Sequence, residues 1–317
     1  MKSYVQRIVA NEHAGLTVEA YLKGVLRCSG RRIQRLTRHK GILLNGRAVF
    51  LQQKVRPGDI LRVLSLTDVS YGVKPEPGPI EIVYEDKNLV IVNKQANLLV
   101  HPAGRTAHGT LANFLAYGYQ ERGLVCTIRP LHRLDRETTG CVLFAKDART
   151  QFVLEQQLRE GILKRSYWAV VSGIPQLAVG TIDAPIGPHP TKPNRRAISK
   201  EGEPAITHYR TLRTFASASL LELSIDTGRT HQVRIHLAHI GHPILGDRMY
   251  GMPSPWIGRQ ALHALSLRFV HPAEEREIEV RAPLPADLDA LLRIYSQDQG
   301  SVAVDSKAWQ TYNKHDN

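Results

Sequence analysis

Residues 129–146 read RPLHRLDRETTGCVLFAK. One carboxylate, Asp135, stands among Arg129, Arg133 and Arg136, ahead of a Thr-Thr-Gly turn. The following CVLFA reads as an apolar strand. A carboxylate at the mouth of a strand is held firmly enough to act on a substrate. Neighbouring guanidinium groups favour its charged form, which suits attack or base work better than general-acid work. The same bases could hold backbone phosphates. The spacing equally fits an Asp135–Arg salt bridge that merely pins the loop.

Working outward, IEIVYEDKNLVIVNK (80–94) reads as two strands around the polar turn Glu85-Asp86-Lys87-Asn88. HGTLANFLAYG (108–118) reads as a helix with Leu111, Phe114 and Leu115 on one side, and QFVLEQQLREG (151–161) as an amphipathic helix stopped by Gly161. KRSYWAVVSG (164–173), HYRTLRTF (208–215), SLLELSIDTG (219–228) and REIEVRAP (276–283) read as strands. Helices and hairpin-like segments interleave without a βαβ rhythm. That pattern predicts an α+β body rather than a Rossmann fold or barrel. The body is expected over residues 80–295, followed by a polar, flexible tail at 296–317 in which Trp309 is out of character.

The chain has 317 residues and a formal net charge of +13. Residues 1–70 carry 13 Lys and Arg against 4 Asp and Glu, +9 of that total. Arg27, Arg31, Arg35 and Arg38 recur at helical spacing, so one helix face is expected to carry all four. Ile33 and Leu36 would face a small core, and Ser29 would cap the helix. ILLNGRAV (42–49) reads as strands around an Asn45-Gly46 turn, and KVRPGDILRVL (54–64) adds a turn and another strand. Residues 1–70 are therefore expected to form a small α/β module whose arginine face binds nucleic-acid phosphates. The Pro- and Gly-rich stretch 71–79 reads as a linker.

Several function classes lack their signatures. There is no GxGxxG after a strand, no GxxxxGK[ST] and no HExxH. The cysteines, Cys28, Cys126 and Cys141, are odd in number and scattered, which fits neither a disulfide framework nor a zinc knuckle. His231, His236, His239 and His242 lack cysteine or acidic partners at compact metal-site spacing, with Asp247 as weak support. No apolar run is long enough to span a bilayer, so a cytoplasmic protein is expected, and a monomer, since no segment marks an oligomer interface.

Two more segments could carry chemistry. In DTGRTHQVRIHLAHIGHPILGD (226–247), Thr230 could cap a short helix ending near Gly241. Arg234 would sit one turn inside it, able to hold a carboxylate through two parallel bonds, and is a credible partner for Asp135. The bland alternative is a capped helix with surface histidines. In KRSYWAVVSG, Tyr167, Ala169 and Val171 share a strand face. Tyr167 is either a core tyrosine or a ring over a cleft that stacks on a base, its hydroxyl reaching a reactant or Arg234.

Taken together, these segments resemble the RluA-type pseudouridine synthases. The family's catalytic-loop pattern HRLDxxTSG is present as HRLDRETTG (132–140). Its tyrosine segment is present as KRSYWAVVSG, and its arginine segment as GRTHQVRIHLAHIGHPILGDRMYG (228–251), followed by LHALSLRFVHP (262–272). NKQANLLVHPAG (93–104) is similar to NKPxGLxVHP, with Asn97 where glycine is usual. Asn tolerates the left-handed turn conformation, so that turn is expected to survive. The N-terminal module resembles the S-four-type RNA-binding domain. The resemblance implies a pseudouridine synthase fold with a mixed, mainly antiparallel sheet. It implies Asp135 as the catalytic aspartate, Arg234 as its ionic partner and Tyr167 as the active-site aromatic. Arg133 would fill the space left by a flipped uridine. The reaction needs no redox or energy cofactor. Structured RNA is the implied substrate, with large-subunit ribosomal RNA ahead of transfer RNA. A ribosome-associated RNA-binding protein without catalysis is the competing reading.

Overall fold

Ser29 accepts a hydrogen bond from the Arg32 N–H (3.3 Å) and starts a helix, as its hydroxyl predicts. The computed structural model describes residues 4–65, 70–297 and 302–303. In the first stretch, strand β1 (Tyr4–Ile8) is followed by helices α1 (Val18–Gly24) and α2 (Gly30–Arg38). Strands β2 (Ile42–Leu44), β3 (Arg47–Ala48) and β4 (Ile60–Leu64) follow, and the antiparallel sheet has the order β1-β4-β2-β3. Asn45 and Gly46 both have positive φ (50° and 82°), the conformation that closes a two-residue hairpin. Ile33 and Leu36 of α2 are buried with Val18, Leu22, Leu61 and Val63 in an apolar cluster of this unit's own.

The arginine stripe is shorter than its spacing predicts. Arg31, Arg35 and Arg38 lie on α2, but Arg27 lies before it with φ 51°. The chain reverses there because the Cys28 N–H reaches back to the Leu22 carbonyl (2.8 Å), ending α1 before a new helix can begin.

The larger body is an α+β unit. Its elements begin with β5 (Ile82–Glu85), β6 (Leu89–Lys94), α3 (Leu111–Glu121), β7 (Arg129–Pro130), β8 (Thr139–Ala145) and α4 (Ala148–Arg159). β9 (Lys164–Ser172), β10 (Val179–Asp183), β11 (Ile186–Pro188), β12 (Arg196–Ile198), β13 (Ile206–Thr214) and β14 (Ala218–Ile225) follow. The remainder is α5 (Gln232–His239), β15 (Leu262–Val270), β16 (Glu277–Arg281), α6 (Ala286–Gln297) and β17 (Val302–Ala303). The main sheet runs β10-β13-β14-β9-β15-β8-β6-β5, with β16 on β15, β17 on β13 and β7 on β8. Every named pairing is antiparallel except β8 with β15. β8, a member of that parallel pair, and β9, beside it, are buried on both faces along these runs, which explains why CVLFA and YWAVV lack apolar–polar alternation.

Two expected boundaries shift. Residues 70–79 form no helix or strand, yet they are strapped to the body. The Ile128 N–H donates to the Tyr71 carbonyl (2.8 Å), and the Asn113 side chain donates to the Lys74 carbonyl (2.8 Å). The expected tail begins inside α6, which buries Leu288, Leu291 and Leu292. Val302–Ala303 then pair with Arg213 and Thr214 of β13. Such pairing uses backbone groups, which composition does not reveal. Trp309 lies outside the described residues. Among those residues, no helix is long and apolar enough to cross a membrane.

Candidate active site

Strand register assembles the site. His263 of β15 lies opposite Thr139 of β8 on one side and Trp168 of β9 on the other, while Tyr167 lies opposite Leu223 of β14. The loop before β8, the middle of β9 and the α5 segment after β14 therefore meet at one place. Between them is a cavity of about 420 Å³, lined by Asp135, Tyr167, Arg234, Arg133, His231 and Leu262 among others. That volume falls within the range of small-molecule sites.

The Asp135 loop is built from backbone contacts. The Thr138 N–H donates to the Asp135 carbonyl (3.1 Å), so the turn falls at Arg136-Glu137. Thr139 and Gly140, expected in the turn, already belong to β8. The physical reason is β15. Gly140 has φ 110°, and a Cβ there would lie 2.2 Å from the Ala264 carbonyl oxygen, so only glycine lets the strands approach. Lys94 is fully buried and donates to the carbonyls of Gln95 (2.8 Å), Leu98 (2.9 Å) and Arg136 (2.9 Å). Those bonds tie the Asn97 turn, left-handed as expected at φ 60°, to the Asp135 loop. Arg133 and Arg136 are exposed, so the carboxylate's close cation is not one of its sequence neighbours.

That cation is Arg234. It donates from Nη1 to Asp135 Oδ2 (3.0 Å). The two parallel bonds expected toward Asp135 go instead to Asp247, from Nε (2.7 Å) and Nη2 (2.9 Å). Asp247 is 1 % exposed and also accepts the N–H groups of Met249 and Tyr250 (2.9 and 3.1 Å). Tyr250 lies 5.1 Å below the Arg234 guanidinium and its hydroxyl is hydrogen-bonded to His231 Nδ1 (2.9 Å). The other nitrogen of His231 is 3.9 Å from Asp135 Oδ1. Burial opposes the charges of Arg234 and Asp247, but their mutual bonds outweigh it. The arginine is raised and the aspartate lowered from their ordinary pKa values. Burial draws His231 down, against the pull of Asp135. Two carboxylates thus share one guanidinium, and Asp135 is the one that meets the cavity.

Thr230 does not cap α5. His231 takes the cap position in a left-handed conformation (φ 60°) without a side-chain bond. Gln232 stabilises the entry instead. Its Oε1 accepts from the Arg229 N–H (3.0 Å) and the Thr227 hydroxyl (2.8 Å), and its Nε2 donates to the Ile206 carbonyl (2.9 Å). A glutamine reaching backwards thus pins the chain ahead of the helix to β13, in place of the threonine cap that was expected. His236, one of the four histidines, is buried and hydrogen-bonded to Thr207 and the Ala184 carbonyl.

Tyr167 is 5 % exposed, and burial raises its phenol. It lines the cavity, but among the described residues its hydroxyl makes no hydrogen bond to Arg234. Arg31 and Arg35 line a second cavity, between α2 and α4, whereas Arg27 and Arg38 do not. Asp247 and His231 belong to the arginine segment, but neither stood out as part of the site. Only the pairing of Asp247 with Arg234 across a loop gives it meaning.

Two neutral histidines brace the loop. Burial pushes His132 down to about 3 and His263 to about 4. His132 Nε2 accepts the Leu143 N–H (3.4 Å), and His263 Nδ1 is bonded to the Thr139 hydroxyl (2.8 Å). In the unfolded chain both take up protons near pH 6.5. Between that pH and their folded values the unfolded state binds more protons, so stability falls as pH drops. Thermal melts from pH 7.5 to 4.5 should show a steady loss below about pH 6.5. The His263→Gln variant should show a shallower one.

Comparison with known proteins decides what this arrangement belongs to. Residues 88–239 match the RNA pseudouridylate synthase family. The chain is 39 % identical over 290 residues to the Bacillus subtilis RNA pseudouridine synthase YhcT, covering 91 % of this chain and 96 % of the relative. It is 38 % identical over 300 residues to ribosomal large subunit pseudouridine synthase D of Nitrosomonas europaea, covering 91 % and 87 %. The chain belongs to the RNA pseudouridine synthase family. As an RluA-type pseudouridine synthase it is an RNA-modifying isomerase. The same-named Escherichia coli K12 protein is 37 % identical over 285 residues, covering 85 % of this chain and 87 % of its own. Human RNA pseudouridylate synthase domain containing 4 superposes with a TM-score of 0.57 at 26 % identity, covering 68 % of this chain and 93 % of that one. Human RNA pseudouridylate synthase domain containing 1 gives 0.55 at 27 %, covering 70 % and 98 %. The mixed, mainly antiparallel sheet of this pseudouridine synthase is thus the family's fold.

Proposed function

We propose that this pseudouridine synthase isomerises uridines in structured large-subunit ribosomal RNA, with Asp135 as the catalytic group. The observation that carries this reading is the Asp135 carboxylate at a cavity wall, held by a buried Arg234 that Asp247 anchors from behind. Two relatives named as ribosomal large subunit enzymes, matched over most of their length, favour that RNA over transfer RNA. Residues 1–70 act as the RNA-binding domain, with phosphate contacts from α2.

A stacked uridine cannot present its glycosidic bond to Asp135, so the base flips out into the cavity. Arg133, exposed at the cavity's edge, takes the vacated place in the RNA. The bond between uracil N1 and ribose C1′ breaks, and its electron pair goes to the uracil. The base turns, and C5 bonds to C1′. The C5 proton leaves and N1 regains a proton, so atoms and electrons balance without a cofactor. Asp135 serves this either by attacking C1′ or by removing the 2′ proton. Both routes need a charged, oriented carboxylate, and the second is the one the family resemblance favours. Arg234 supplies that orientation, and the ring of Tyr167 packs against the rotating uracil.

The test uses ribosomal and transfer RNA from cells lacking the gene, incubated with purified enzyme and mapped for pseudouridine at nucleotide resolution. New sites in large-subunit ribosomal RNA are the expected result. New sites confined to transfer RNA would overturn the substrate assignment.

A further inference from the structure

Arg165 precedes Tyr167 by two residues on β9, so both side chains leave the sheet on one face. It lines the same cavity and is 7 % exposed. Nη2 donates to the Thr227 carbonyl (3.1 Å), but the buried Nε has no hydrogen-bond partner. Among the described residues no carboxylate pairs with it. The two acids that line the cavity are engaged elsewhere, Asp135 with Arg234 and Asp226 with His208. Burying a guanidinium without a counter-charge is costly, and one bond to a carbonyl leaves its Nε edge unused. A ligand that brings the missing negative charge removes the cost. Uracil is neutral, whereas the RNA backbone is not. A planar guanidinium with an open Nε edge matches the oxygens of a phosphodiester.

A second observation indicates where the strand goes. Arg159, exposed at the end of α4, lines this cavity and also the cavity of about 750 Å³ between α4 and α2. The latter is lined by Arg31, Arg32, Arg35, Arg129 and Arg159, with Glu155 as its one acid. The two cavities thus share a cationic rim. Resting on the pseudouridine synthase reading, we propose that Arg165 seats the backbone phosphate adjoining the target uridine. The strand continues past Arg159 into the cleft beneath α2.

The experiment uses a ribosomal RNA fragment that the wild type modifies, synthesised with a neutral methylphosphonate at the linkage 5′ or 3′ of the target uridine. One of the two should raise the wild-type KM by about 10- to 100-fold, the scale of a lost charge-assisted bond. Arg165→Met should raise KM similarly on unmodified RNA and become indifferent to that neutral linkage. Met removes a buried charge, so its melting temperature should not fall. Arg165→Lys, which keeps the charge but loses the fork, provides an intermediate KM should the Met variant fail to fold. Arg159→Ala should weaken binding and reduce the salt slope by about 1. Equal methylphosphonate sensitivity in wild type and Arg165→Met would overturn the phosphate seat, as would a fall in kcat at unchanged KM. An unchanged salt slope in Arg159→Ala would overturn the strand path. Absence of pseudouridine with wild type on every RNA would instead sink the underlying reading, and this proposal with it.

Discussion

Asp135→Asn yields a folded protein that binds its RNA and forms no detectable pseudouridine. The amide keeps the size of the carboxylate and can still accept a bond from Arg234 Nη1, now 3.0 Å from Oδ2. It can neither attack C1′ nor take a proton. Turnover should therefore fall by roughly 10³-fold or more, the scale of losing an essential nucleophile or base. RNA affinity should change little, because the phosphate contacts lie elsewhere. Single-turnover kinetics with saturating enzyme separate the two quantities. A matching loss of binding would mean that Asp135 is mainly a structural part of the loop.

Asp247→Ala is expected to damage both the fold and the chemistry. It strips a buried guanidinium of two bonds, at 2.7 and 2.9 Å, and leaves it a single link to Asp135. Removing one partner of a buried pair costs about 3–5 kcal/mol. The loss should appear as a lower urea midpoint at an unchanged slope. Asp135 then becomes the sole counter-ion of Arg234 and is drawn away from the cavity, and turnover drops with it. Asp247→Asn preserves shape and the acceptor for the Met249 and Tyr250 N–H groups. It should recover part of the stability but little of the turnover. Equal recovery of both would place Asp247 in the scaffold alone.

Asp135, Arg234 and Tyr167 were singled out by the family resemblance more than by their local setting, and the structure brings all three to one cavity. The residues alone made Arg234 only a credible partner for Asp135, 99 residues away; the resemblance implied the pairing, and neither foresaw its bonding pattern. A helix model puts Arg234 one turn in, yet nothing in that spacing tells which carboxylate receives the bidentate grip. Asp247 follows a glycine and reads as an ordinary turn residue until the loop folds back. Short α2 and the start of α5 failed for a related reason. Arg27 fits the helical period of its neighbours, and Thr230 has a good capping side chain. Long-range or backward-reaching bonds, from Cys28 to Leu22 and from Gln232 to Arg229, override both local preferences. The sheet was legible as strands but not as an order. The parallel contact of β8 with β15 joins residues more than a hundred positions apart, and only Gly140 hints at it.

Tritium release from ribosomal RNA labelled at uridine C5 reports the reaction directly, since the new C5–C1′ bond expels that hydrogen. With enzyme in excess over a fragment containing one target site, the wild type should release one tritium per site. Asp135→Asn, bound to the same fragment with similar affinity, should release none. Release by Asp135→Asn at the wild-type rate would contradict the assignment of Asp135 as the catalytic group.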